Sequence, residues 1–143
     1  MDTIYVKPKD VERKWWIIDA EGERLGRVAV KAVELLRGKH KPEFVPYHEL
    51  GDYVVIINAG KVEVSGNKAD GKLYYRHTSY PGGLKVTKFR DMIDKKPCFP
   101  MEAAVKGMLP KGPLGRKIFT NLKVYAGAEH PHAAQKPEAI GIK

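Results

Sequence analysis

The sequence predicts an α/β layer protein organised around a parallel strand–helix–strand unit. Three observations carry that reading. From Arg24 to Arg37, Leu25, Val28, Ala29, Ala32, Leu35 and Leu36 recur at helical spacing, with charged residues falling largely between them. Trp15–Ile18 before this helix is a short bulky run of strand type. Tyr53–Ile57 after it is uninterrupted and mostly β-branched, the pattern of a strand covered on both faces. Strand, helix and buried strand in that order make a parallel crossover and a layered α/β architecture. With 143 residues, 43% of them hydrophobic, the chain is the size of a single domain over 1–143.

The elements follow in order. Residues 1–14 are polar, contain Pro8 and read as an N-terminal arm. Asp19–Glu23 turns the chain into the helix, and Gly38 stops it. Gly38–Gly51, with two prolines, reads as loop. Val62–Val64 and Leu73–His77 flank the polar Ser65–Lys72, which predicts a protruding β-hairpin with Ser65–Lys72 as its loop. Thr87 is placed to cap a helix running to Lys96, with Phe89, Met92 and Ile93 on one face and Pro97 as its stop. Pro100 suits the start of another helix with Met101, Ala104, Val105 and Met108 inward. A short helix after Gly112–Gly115 and a last strand over Leu122–Tyr125 complete the body. The segment 127–143, rich in Pro and Gly, is expected to be an extended basic tail.

Charge separates the chain into two parts. The net charge is +9, yet residues 1–60 are balanced at ten basic and ten acidic side chains, so the whole excess lies in 61–143. Such asymmetry points to a polyanionic partner, nucleic acid before others, against the plainer alternative of a soluble basic surface. No apolar run approaches the ~20 residues of a membrane span, and Met1–Asp10 lacks the apolar core of a signal peptide, so no membrane partner is expected. A lone Cys98 excludes an intramolecular disulfide and a multi-cysteine zinc site, making a reducing cytoplasm the default.

Enzyme-like motifs fail their contextual tests. Gly66–Lys72 has the glycine and lysine spacing of a phosphate loop, but Leu73 stands where Ser or Thr should hold magnesium, and a strand rather than a helix follows. Asp19–Gly26 joins strand to helix with glycines at the wrong spacing for a dinucleotide site, and its acids would repel a pyrophosphate. Glu129, His130 and His132 invite a metal reading, but neighbouring histidines across a proline cannot supply three convergent ligands. Two serines, neither in an elbow motif, and a Cys98 without a nearby histidine leave no nucleophile. No cofactor, metal, small-molecule substrate or catalytic residue is expected.

The nucleic-acid features agree with one another. Lys39, His40 and Lys41 form a compact basic loop after the helix, which itself carries Arg27. Lys68, Lys72, Arg76 and His77 accompany Tyr74 and Tyr75, pairing cations for phosphate with rings able to stack on bases. Lys106, Lys111, Arg116, Lys117 and Lys123 surround a Gly/Pro-rich stretch, and His130 and His132 close the set in the tail.

Specific runs then carry a family resemblance. They include Leu25-Gly26-Arg27, Arg37-Gly38-Lys39-His40-Lys41, Gly66-Asn67-Lys68, Tyr75-Arg76-His77, Ala104 to Pro110, Lys123 to Gly127 and Glu129-His130-Pro131-His132. Across roughly Trp15 to Pro137 the chain resembles the bacterial form of the family of ribosomal protein thirteen of the large subunit. That resemblance implies a three-layer α/β/α fold, with a parallel sheet of about four strands sandwiched by helices. It further implies hairpin and extended segments reaching into large-subunit (23S-type) ribosomal RNA, a part in early subunit assembly and neighbouring large-subunit proteins as partners. By likeness to some bacterial members, it also implies binding of its own mRNA and repression of its own translation. Glu43-Phe44 and Ala59-Gly60 depart from the common pattern on a surface loop and a strand exit.

Overall fold

The computed structural model describes residues 5–142, so the first four residues of the arm and Lys143 of the tail lie outside the described residues. The predicted crossover forms as β1 (Trp15–Asp19), α1 (Leu25–Arg37) and β2 (Tyr53–Ile57), with β1 and β2 parallel and Ile18 opposite Ile56. Gly38 ends α1 in the left-handed conformation at φ 74°, and its N–H bonds back to Leu35 O, as a helix stop requires. Further along come α2 (Lys68–Gly71), β3 (Leu73–His77), β4 (Leu84–Lys88), α3 (Phe89–Lys95), α4 (Phe99–Met108), α5 (Pro113–Phe119), β5 (Leu122–Val124) and β6 (Glu138–Ala139).

The main sheet has the order β5-β2-β1-β6, with every neighbouring pair parallel. Trp16 and Ile18 of β1, Val54 and Ile56 of β2, and Leu122 and Val124 of β5 share one face through this register. The apolar stripe of α1 closes on it, joined by Met101 and Val105 of α4 and Ile118 of α5. Burial of these side chains, each removing apolar surface from water, is the main stabilising term. The opposite face carries Trp15 stacked on Tyr53 at 4.6 Å, and His132 of the tail tilts over Trp15 at 5.0 Å. Val55 on that face is fully buried, as the uninterrupted run of β2 predicts.

Four expectations change. The hairpin exists, but β3 pairs antiparallel with β4, not with Val62–Val64. Glu63 instead bridges Arg24 beside the start of α1, and Ser65–Lys72 is an excursion holding the short α2. Thr87 lies inside β4 opposite Tyr74, so α3 starts at Phe89 with Lys88 before it; the β-branched Val86-Thr87 pair favoured strand over cap. Met108 is exposed, because α4 turns its last residue past the edge of α1 while Met101 and Val105 stay inside. The tail is not simply extended: a turn at Ala133–Gln135 brings Glu138–Ala139 beside β1 as the fourth strand, and Ile140 N donates to Ile17 O at 3.0 Å. Nor is the tail basic, since Lys136 and Lys143 are matched by Glu129 and Glu138.

Candidate RNA-binding surface

Two cationic surfaces emerge. The first is an open groove of about 1060 Å³ between the start of α1, the 63–72 excursion and the end of α4. Arg24, Arg27, Lys68 and Lys72 line it with Gly26, Ser65, Gly66 and Asn67, and Glu63 is its single carboxylate. Its position follows from the chain path: Leu25 N donates to Glu63 O at 2.9 Å and Glu63 N to Glu23 O at 2.9 Å, tying the excursion to the helix start. The first turn of α1 contains no acidic residue, so the partial positive charge of the helix N-terminus adds to four cations. Such a groove accepts an extended anion.

The second surface surrounds the α4–α5 junction, where Lys106, Lys111 and Arg116 line a smaller cleft with Pro110, Gly112 and Gly115. Pro113 starts α5 where its missing N–H costs nothing. Gly115 is required here, because a Cβ would lie 1.8 Å from Pro110 O. Lys123 is exposed on β5.

Other sequence-predicted site residues are paired with carboxylates of the molecule itself, His40 and Lys41 part-buried and Lys117 at the surface. Asp52, fully buried, accepts hydrogen bonds from Lys14 N at 3.1 Å, Trp16 Nε1 at 2.8 Å, His40 Nε2 at 2.9 Å and Lys41 Nζ at 2.6 Å. Lys41 Nζ also donates to Glu12 O and Leu50 O, so its ammonium stitches the arm to β2. Burial pushes the Asp52 carboxyl up, but hydrogen bonds from Lys41, Trp16 and Lys14, with the Lys41 charge, outweigh it and hold the pKa below 3.8. Lys117 Nζ lies 3.0 Å from Glu49 Oε2, off hydrogen-bond geometry, while Asn121 Nδ2 donates to Glu49 Oε1 at 2.7 Å. Burial raises the Glu49 carboxyl; Asn121, Lys117 and Arg13 together bring it below 4.5.

Tyr74 faces inward, edge-on to Phe99 at 5.6 Å, with Lys72 Nζ over its ring at 5.5 Å. Burial raises its hydroxyl pKa, and the Oη atom is buried without a partner among the described residues. His132 Nε2 bonds Tyr125 Oη at 2.8 Å, and the His132 backbone N–H donates to His130 Nδ1 at 3.2 Å, so both histidines fix the turn of the tail over β1. Burial, then the charges of His130 and Lys123, lower the His132 pKa, favouring the neutral ring. Lys39 is exposed beside Met108 and Val30. Arg76 and His77 lie on the β3–β4 ribbon, the His77 ring held by a bond from Ser79 N at 2.9 Å.

Sequence reasoning missed Arg24 in the groove, since nothing in the sequence shows that the 63–72 excursion docks beside the start of α1. The exposed Tyr80, Lys85 and Lys88 were also missed; pairing β3 with the wrong strand hid them. The phosphate-loop spacing fails structurally as well, because the helical turn Lys68–Gly71 falls inside the motif and Lys72 leads into a strand. Among the described residues, no group of three metal-ligating side chains converges.

Comparison with known proteins adds the family. The pattern of the family described as ribosomal protein L13 matches residues 13–131. A protein named large ribosomal subunit protein uL13 from Treponema denticola is 59% identical over 99% of this chain and 100% of its own length. Proteins of the same name from Brevibacillus brevis, 58% identical over 100% of this chain and 99% of theirs, and from Idiomarina loihiensis, 56% identical over 99% and 100%, show the same likeness. A family match over most of the sequence, with full-length relatives at this identity, leaves one conclusion: the chain belongs to the ribosomal protein L13 family.

Proposed function

We propose that this chain is a structural constituent of the large ribosomal subunit in the cytoplasm, holding large-subunit (23S-type) rRNA on its cationic groove. The observation that carries the reading is the meeting of Arg24, Arg27, Lys68, Lys72 and the α1 N-terminus on one open surface with a single carboxylate. Phosphates displace counterions there, and the rigid α1–sheet core sets the spacing of the contacts. The Lys106, Lys111 and Arg116 cleft serves a further stretch of backbone. A core that closes within one chain suits a protein that binds RNA early in assembly, with neighbouring large-subunit proteins arriving on its other surfaces. The same groove serves for its own mRNA where that message imitates the ribosomal site. No turnover is involved.

The test is the double variant Arg27→Glu, Lys68→Glu, both exposed side chains. Its affinity for large-subunit RNA should fall at least about tenfold at moderate salt, with unfolding by urea unchanged. Unaltered affinity in a folded variant removes the groove from the binding surface.

A further inference from the structure

The β3–β4 ribbon has an uncovered apolar face that the groove does not use. Phe89 N donates to Lys72 O at 2.9 Å and Thr78 N to Gly83 O at 3.0 Å. These bonds fix the alternation of the ladder, making Leu73–Lys88, Tyr75–Val86 and His77–Leu84 the non-hydrogen-bonded pairs, all on one face. Tyr74 and Thr87 lie on the other face, toward Phe99 and the body. Outward, Leu73 is 40% exposed, Tyr75 64%, Leu84 57% and Val86 51%, and Tyr80 at the turn is 75% exposed. From 72 to 88 the chain carries no carboxylate: Lys88 and His77 share the outward face, Arg76 and Lys85 alternate onto the face of Tyr74, Lys72 lies over the Tyr74 ring, and nearby Asp70 is paired with Arg90 at 3.5 Å.

We propose that this face is a platform for unpaired RNA bases, with Tyr75 as the stacking ring; the proposal rests on the RNA-binding reading and specifies the form of RNA the ribbon takes. A duplex hides its base faces and leaves the exposed Leu84 and Val86 side chains and the Tyr75 ring face without an apolar partner. An unpaired base covers the Tyr75 ring and its aliphatic neighbours, and its phosphate meets Lys88 and His77 of the same face in a segment without a carboxylate. Charge complementarity therefore selects a polyanion with accessible ring faces. The groove and the ribbon divide the work, one gripping backbone and the other bases.

The experiment uses the full chain with two labelled probes, a short uridine oligomer and a blunt RNA duplex of the same length. Tyr75→Leu, which keeps apolar bulk at an exposed position, should weaken the oligomer about tenfold and leave the duplex unchanged. Tyr75→Phe should keep oligomer binding, since the ring face remains. If Tyr75→Leu binds the oligomer as the unaltered chain does, the platform is overturned and the face belongs to a protein partner, with the groove reading intact. Equal losses for both probes also overturn it. Failure of the unaltered chain to bind either probe overturns both readings.

Discussion

Asp52 shows how one residue decides the meaning of its neighbours. Its carboxylate gathers the Lys14 amide, the Trp16 indole, His40 and Lys41 at the start of β2, so two residues of a basic surface loop become internal fasteners. Asp52→Ala removes the countercharge of the part-buried Lys41 ammonium and the partner of the Trp16 N–H, and should cost about 3 kcal/mol, read from urea unfolding. Lys41→Ala should also destabilise, whereas Lys39→Ala, exposed and unattached to this network, should not. The acid response follows from the same groups. Asp52 and Glu49 both have folded pKa values below their ordinary 3.8 and 4.5, so their contribution is complete above those values. It is lost as pH falls through the lower folded values. The urea midpoint should therefore begin a small decline below about pH 6.5, where the unfolded chain protonates His132 before the folded one does, and fall steadily below about pH 4 as the two carboxylates titrate. None of this is legible in the sequence, where Gly38-Lys39-His40-Lys41 has no mark showing that its last cation meets a carboxylate eleven positions on.

Among the elements, legibility tracks periodicity. The α1 stripe and the β2 run announce themselves because burial on one or both faces dictates their side chains. The β3–β4 ribbon does not. Only one of its faces meets the body, its strands are short, and Leu73–His77 pairs across the Thr78–Gly83 turn as readily in pattern as across Ser65–Lys72. Two-residue β6 leaves no pattern at all; it follows a tail held by the one ring of His132 tilted over Trp15 and by the bond from Ile140 N to Ile17 O. One close approach ties helix to sheet: a Cβ on Gly51 would lie 1.7 Å from Leu36 O at the end of α1. Gly51→Ala must push the helix from the entry of β2, at a cost of about 1–3 kcal/mol in urea unfolding, and should leave groove residues on the far end of α1 able to bind RNA.

At the scale of the whole molecule, the +9 excess of residues 61–143 does not mark where the surface cations gather. Some cations are paired within the molecule, Lys41 with buried Asp52 and the otherwise exposed Lys117 with Glu49. Others from distant segments, Arg24 and Arg27 with Lys68 and Lys72, converge only once α1 docks against the 63–72 excursion. Sequence counting could foresee the sign of the partner, but not which cations remain free to meet it. The central claim is that this groove binds RNA through phosphate contacts. Its most direct test is the slope of log affinity for large-subunit RNA against log salt concentration, for the unaltered chain and for Lys68→Ala. A steep linear decline is predicted, shallower by about one for Lys68→Ala. A flat line, or identical slopes for the two proteins, would contradict it.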